Sequence, residues 1–447
     1  MAERPNIIYV IPHDLGRLLS IYGARVFNPN IERFASEGAV FTNAFCAAPC
    51  CSPSRGCAMT GQYSHTNGLM GLVNYGWSMP IEKRTIVDYL NDAGYETVHA
   101  GIQHERTDPA TNRYQLELGD PSDRLAKTVI DSAIDYLRRR KPCDKPFYLN
   151  IGTIEVHGIL WLENLYEATP EVAELDYPEI KDEDVYIPPH IPDNVISRKN
   201  MKRLMSTLLN FDAQFGRLLD AIDEAGLRDN TIVVLTTDHG ISGTRAKGTL
   251  YDRGVETTLI YRYPRQIRSG MIVDELISNI DNCPTLLEAA GVPTPEAVQG
   301  KSYWSLFTGG EYVPHHELFI ERNDHGSMDP VRAVRTRKYH LIKNFDDRAR
   351  RYYLPDEFPD FAPESGKQSW GMASRDPRPE LELYDVENDP EEYDNLAYSR
   401  GYRSTVVELL NRMYTWMLDT EDPVLKGSIP LDNCDLAVRN RFVRPCK

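Results

Sequence analysis

Short apolar runs alternate with stretches of helical period through the first two-thirds of the chain. Residues 6–11, 96–100, 146–152 and 231–236 read as strands. Between them, residues 30–37, 85–93 (closed by Gly94) and 125–140 read as helices. The longest helix is predicted over residues 198–225, ending at Gly226. Along it Leu204, Leu208, Phe211, Phe215, Leu218 and Ile222 recur every three or four positions. Such alternation predicts an α/β fold on a large, mostly parallel sheet with helices on both faces.

In sheets of that kind ligands gather beyond the carboxyl ends of the strands, so the residues just past each strand matter. The first strand runs into Pro12-His13-Asp14, and the second into Gly101-Ile102-Gln103-His104. The third leads into Thr153-Ile154-Glu155-Val156-His157, and the fourth into Thr237-Asp238-His239-Gly240. Four strand ends with metal-ligating or titratable groups predict one convergent site.

Residues 159–192 read as an irregular acidic excursion over the sheet. Past about residue 330 the pattern changes: 331–336 and 339–342 look like paired strands, 346–376 a polar loop, and 405–419 a final helix. The expected organisation is a catalytic domain over residues 1–330 and a smaller α+β subdomain with an antiparallel sheet over 331–447.

At 447 residues, 41% apolar and 26% charged, the chain has the composition of a soluble globular protein with a large core. Its net charge of −16 argues against nucleic acid as a partner. No apolar stretch is long enough to span a bilayer. The expected location is cytoplasmic, or periplasmic or secreted if a leader has been removed. The eight cysteines show no disulfide-scaffold or paired CxxC spacing, which favours a reducing compartment. The basic clusters at 138–141 and 348–351 read as solvated faces. Oligomeric state is not readable.

Cys51-Ser52-Pro53-Ser54-Arg55 is the most informative motif. Cys51 stands directly before Ser52-Pro53, which reads as a helix N-cap with proline at the first helical position, and the helix is predicted to stop at Gly61. A thiol there sits in positive potential and is expected to be reactive, with Arg55 one turn on to hold an anion. The competing reading is a buried cysteine beside an ordinary helix start. Asp14 and Asp238 offer hard oxygens for a divalent cation, with His13 and His239 adjacent. Arg55 and Lys247 are candidate cradles for anionic oxygens, and His157 for protonating a leaving group. Together these predict ester hydrolysis at a sulfuryl or phosphoryl centre.

Cys51 to Arg55 with Thr60-Gly61 resembles the signature of the formylglycine-dependent sulfatases of the alkaline phosphatase superfamily. The likeness continues through residues 4–9, 28–35, 281–287, 300–302 and 383–391. Within the family the chain is most similar to the N-sulfoglucosamine sulfohydrolase branch, through Ser64-His65-Thr66-Asn67-Gly68 and the helix leading into residues 230–233. The resemblance implies an alkaline-phosphatase-like fold, a sulfated saccharide substrate, and a maturation enzyme that oxidises Cys51 to an aldehyde. It also implies a cation, calcium first, on Asp14, Asp238, His239 and position 51. By the same resemblance Arg55 supports the aldehyde hydrate and Lys247 binds sulfate. His104 then assists release of sulfate from the nucleophile, and His157 serves the leaving group.

Two positions depart from the family pattern. His13-Asp14 stands where Asp-Asp is usual, and Ile102 where a sulfate-binding lysine is usual. An imidazole suits zinc or manganese better than calcium. Arg245 or Arg106 is a candidate replacement for the lost cation. Trp77, with Tyr75, is a candidate sugar platform, and His325 a candidate contact from the domain junction. A phosphodiester or phosphonate monoester hydrolase, and a catalytically idle carbohydrate-binding relative, are the alternative readings.

Overall fold

The computed structural model describes residues 4–120, 122–141, 145–157, 177–243, 245–326, 328–346 and 378–442. Much of the predicted excursion at 159–192 and most of the polar loop at 346–376 lie outside the described residues.

Eight strands form the main sheet. In spatial order they are Leu116–Leu118, Glu96–Gly101, Phe147–Thr153, Asn6–Pro12, Thr231–Thr236, Leu259–Arg262, Ala39–Phe41 and Met271–Val273. All neighbours pair in parallel except Leu259–Arg262, which runs against both of its partners. Asn6–Pro12 lies at the centre, and its period-two alternation feeds two cores. Ile8 and Val10 pack with the helices Pro29–Ser36, Ala126–Arg139 and Val195–Glu224. Ile7, Tyr9 and Ile11 face the opposite core, with Met59, Ile86, Leu90 and Leu286. Such two-sided burial is why this strand reads as a continuous apolar run.

The helix boundaries follow their caps. The helix at Ile86–Asp92 carries a capping box between Thr85 and Asp88. The long helix starts at Val195, three residues ahead of the position its apolar periodicity marks. Asn194 supplies the cap, its side chain accepting from Ser197 N–H at 2.9 Å. Glycines set the close approach of two strand ends. A Cβ on Gly101 would lie 2.1 Å from the Gly152 carbonyl oxygen, and one on Gly152 would lie 2.0 Å from that of Ile102. Backbones meet there because neither residue has a side chain. No described helix is long and apolar enough to cross a membrane.

A second, antiparallel sheet orders Glu317–Asp324, Met328–Thr336, Tyr339–Asn344 and Leu381–Asp385. It starts at Glu317, so the boundary expected at residue 330 falls inside a strand. One face packs on the helix Arg403–Asp419 through Val334, Leu341, Leu409 and Trp416.

An ionic joint ties this sheet to the first unit. His340, fully buried, lies with Nδ1 2.6 Å from a Glu392 oxygen and 3.3 Å from one of Asp252. Arg335 bonds the Asp252 carboxylate at 2.9 and 2.8 Å. Burial alone would lower the His340 pKa, but Glu392 and Asp252 outweigh it and raise it from 6.5 to about 9. A raised histidine stabilises fully below its unfolded pKa, and that contribution fades as pH rises through the folded value. The melting temperature of the wild-type chain is therefore expected to fall more steeply between roughly pH 7 and 9.5 than that of His340→Gln. Parallel declines would remove the joint from the account.

Candidate active site

The four strand tips predicted to converge do so, because their strands are neighbours in the sheet. His13 N–H donates to the carbonyls of Thr153 at 3.2 Å and Glu155 at 3.0 Å. Asp14 N–H donates to Asp238 Oδ1 at 3.0 Å, and Leu15 N–H to Thr237 Oγ1 at 3.1 Å. Arg55 donates from Nη2 to Ile11 O at 3.0 Å and from Nη1 to Ile102 O at 3.4 Å. Its Nε stands 3.5 Å from Asp238 Oδ2. One guanidinium thus braces two tips and faces a carboxylate of a third. Asp14 and His104 have left-handed backbones, with φ of 53° and 64°. That conformation costs about 1 kcal/mol or more at a non-glycine residue, and the tip-to-tip hydrogen bonds offset it.

Asp14 is the hub. It accepts from Lys247 Nζ at 2.9 and 2.8 Å and from Ser242 Oγ at 2.6 Å. His239 Nε2 lies 3.5 Å from it, and Cys51 Sγ 3.9 Å. Cys51 Sγ is also 3.2 Å from His239 Nε2. His239 Nδ1–H donates to the Gly240 carbonyl at 2.9 Å, which turns Nε2 toward the cluster as the acceptor nitrogen. His13 Nδ1 is 3.1 Å from Asp238 Oδ2. Lys247 Nζ also reaches His157 Nε2 at 2.9 Å. The His104 ring centroid is 5.7 Å from that of His13, and its Nε2 is 3.0 Å from Asn74 Oδ1.

Burial and charge divide these groups. Burial pushes His13 down to about 4 and His157 to about 3, with Arg55 acting the same way on the former and Lys247 on the latter. Both imidazoles are therefore neutral at pH 7. Burial opposes ionisation of Asp14, but His157, Lys247 and His239 overcome it and hold the carboxyl well below its usual range. Asp238 is held down in the same way, burial being outweighed by His239, His13 and Arg55. Two carboxylates thus balance two cations, Lys247 and Arg55.

The donor set fits a divalent cation. Ligand atoms of Asp14, Cys51, Asp238 and His239 all lie within 4.8 Å of one another, as do those of His13, Asp14, Cys51 and His157. Among the described residues, His13 Nε2 is buried without a hydrogen-bond partner, while His13 Nδ1 meets Asp238 Oδ2, which also faces Arg55. A buried imidazole nitrogen left open beside two carboxylates and a thiol is what a metal ligand set looks like. The backbone-anchored His239 tautomer is the arrangement metal-binding imidazoles adopt.

Several expectations change. The helix spans Cys51–Thr60 with Cys50 at its N-cap, so Cys51 begins the helix and Pro53 is its third residue. The stop at Gly61 is as expected, with φ of 67°. Burial pushes the Cys51 thiol far up, so unmodified it is a protonated thiol rather than the activated nucleophile its helix position suggested. Arg245 does not face the cluster: its guanidinium lies 3.7 Å over the Tyr251 ring and donates to the Glu392 carbonyl. Arg106 is spent on the carbonyls of Pro80, Lys83 and Thr111. Trp77 is not a sugar platform. It is fully buried, and its indole N–H donates to Asp324 at 3.2 Å. His325 does come to the site's edge, since a Cβ on Gly248, next to Lys247, would stand 2.8 Å from its Nδ1. Sequence reasoning missed Ser242 and Asn74. The first was findable as a hydroxyl in the loop that carries Asp238 and His239; no local signal links Asn74 to His104.

Residues 5–292 match the sulfatase family. The chain belongs to that family. Sulfatases are hydrolases of sulfate esters, and the family uses a divalent metal. Residues 240–360 also match the C-terminal region of N-sulphoglucosamine sulphohydrolase. This sulfatase is 27% identical to an ulvan-active sulfatase of Formosa agariphila, over 93% of this chain and 75% of that one. It is 24% identical to the N-sulphoglucosamine sulphohydrolase of Homo sapiens, over 94% and 91% of the two chains. Its fold is that of a solved protein in complex with its substrate D-glucosamine-2-N,6-O-disulfate. The TM-score is 0.72 at 22% identity, covering 94% of this chain and 99% of the other.

Proposed function

We propose that this sulfatase removes the sulfuryl group from a sulfated saccharide of glycosaminoglycan type, with N-sulfoglucosamine as the first candidate unit. The chain before the strand at Glu317 is its catalytic unit and the remainder a C-terminal unit. The observation that carries the reading is Cys51, in the motif Cys51-Ser52-Pro53-Ser54-Arg55, buried 3.2 Å from His239 and 3.9 Å from Asp14. Asp14, Asp238, His239 and position 51 would hold a divalent cation, with His13 beside them. Conversion of Cys51 to formylglycine by a maturation enzyme would supply the nucleophile, and the cation, when bound, would supply Lewis-acid polarisation of the sulfuryl oxygens.

The chain's own residues do the rest. Because two carboxylates already balance Lys247 and Arg55, a divalent ion leaves the pocket net positive, which suits an anionic ester despite the chain's overall charge of −16. Lys247 orients the sulfuryl group. Its ammonium lies 2.9 Å from His157 Nε2 and bonds both Asp14 oxygens. Burial penalises its charge, but Asp14 outweighs that penalty and holds it protonated, so it stays a cation through the step. His157, beside it, is the group placed to pass a proton to the leaving oxygen or nitrogen. Arg55 keeps Asp238 in register, and Asn74 orients His104.

The test is a panel of N-, 2-O- and 6-O-sulfated disaccharides, with mass analysis of the peptide spanning residue 51. An aldehyde at that position and sulfate release from the N-sulfated member are expected. Release from O-sulfated members alone would keep the sulfatase reading and remove N-sulfoglucosamine. Hydrolysis of aryl phosphodiesters in preference to every sulfate would overturn the reading.

A further inference from the structure

Asp252, His340 and Glu392 form a second cluster of metal-type donors, all buried, with ligand atoms within 4.8 Å of one another. It is not a cation site. Asp252 accepts from Arg335 at both oxygens, at 2.9 and 2.8 Å. One Glu392 oxygen accepts the Asp252 N–H at 2.6 Å, and the other lies 2.6 Å from His340 Nδ1. Every ligand oxygen is taken, and Arg335 with His340 supplies the balancing charge.

The cluster instead holds a catalytic loop. Asp252 comes five positions after Lys247, and Arg245 two positions before it. The Arg245 guanidinium donates to the backbone carbonyl of Glu392, and more weakly to that of Glu391 at 3.4 Å. A single residue therefore grips both flanks of the loop, with its main chain on one side and its carboxylate on the other. Glu392 is 1% exposed and has a left-handed backbone, with φ of 57°, which a non-glycine residue adopts only where its surroundings hold it. Between the two grips, Gly248 donates to the Pro49 carbonyl at 2.9 Å and accepts from Arg322 Nη1 at 2.6 Å. Gly248 is itself left-handed, at 79°. Pro49 lies two residues before Cys51, so the same loop is pinned to the start of the nucleophile helix.

We propose that Glu392 is a positioning residue: from the C-terminal unit it clasps the 245–252 loop and so fixes Lys247 against Asp14 and His157. This rests on the reading of Lys247 as the cation that orients the sulfuryl group. The lysine side chain is long and flexible, so its placement depends on a backbone that does not shift. The clasp also gives Arg245 a role, as its partner rather than a ligand of sulfate.

A double-mutant cycle on the cation-loaded enzyme tests it. Glu392→Ala is expected to lower kcat/KM by about 10- to 100-fold while the chain still melts cooperatively. Glu392→Gln, which keeps an acceptor for the Asp252 N–H, is expected to recover most of that loss. In a Lys247→Ala background, Glu392→Ala is expected to change kcat/KM by less than about twofold. Hydrogen exchange of the 245–252 peptide is expected to quicken in Glu392→Ala. Additive losses in the cycle, with a large effect of Lys247→Ala alone, overturn this proposal and leave the role of Lys247 standing. No effect of Lys247→Ala overturns that role and the proposal together. Unchanged exchange in the loop overturns the clasp itself, whatever the activities. If Glu392→Ala does not fold, Arg245→Met removes the opposite grip and carries the same cycle.

Discussion

Cys51→Ala is expected to abolish turnover, with a loss on the order of 10⁴- to 10⁶-fold in kcat, as when the nucleophile of a hydrolase is removed. Nothing else in the cluster can substitute. Ser52 and Ser54 are buried, and Ser52 Oγ accepts from Val73 N–H while Ser54 Oγ is bonded to Asn279 and the Asp238 carbonyl. The fold is expected to survive, because the side chain removed is small and makes no cap bond. Cys57→Ala, at a core position outside the cluster, serves as the control and is expected to keep turnover within about threefold of wild type. The same position gives a second readout. Unconverted Cys51 is a protonated thiol held up by burial, so it is expected to resist alkylation in the folded chain. Sulfate release by Cys51→Ala at more than about 1% of the wild-type rate would place the nucleophile elsewhere.

That the thiol is not activated on its own marks where sequence reasoning reached its limit. A helix N-terminus with a nearby arginine is a local feature, and local features predict a lowered pKa. Burial is a tertiary property and here it dominates. The same divide separates the residues placed well from those placed badly. Asp14, His104, His157 and Asp238 come directly after central strands, whose apolar runs are legible because both sheet faces are covered. Their convergence needed only the rule that ligands collect at strand tips. Trp77 and Arg245 have partners far along the chain: Asp324 lies 247 positions from the one, Glu391 lies 146 from the other. No window of sequence contains both members of such a pair. Short strands escaped for a different reason. Ala39–Phe41 and Met271–Val273 have three residues each, and Leu259–Arg262 four, too few for a period to show. The start of the second sheet at Glu317 was hidden in the same way, since a strand that opens a new sheet looks like one that closes the old.

Removing the divalent cation is expected to lower turnover by about 10³-fold or more, the equivalent of several kcal/mol of lost charge stabilisation. Re-addition should restore it, and the order of restoration reports on His13. With two imidazoles in the ligand neighbourhood, manganese or zinc is expected to compete better here than at an all-carboxylate site, whereas His13→Asp should shift preference toward calcium. Asp238→Ala is the stability counterpart. The carboxylate accepts the Asp14 and His239 N–H groups at 3.0 Å each and faces both Arg55 and His13. Its loss strands a buried guanidinium that already braces two strand tips, so destabilisation of about 3–5 kcal/mol is expected on denaturant unfolding. The pH dependence has a definite sign. Asp238 titrates below its unfolded value of 3.8, so its contribution is present above that pH and is lost as pH falls. Wild type and Asp238→Ala should therefore converge in stability toward acid. If a chelated and dialysed enzyme turned over at the full rate, Asp14, Asp238 and His239 would be a structural ion-pair network and the catalytic account of them would fall.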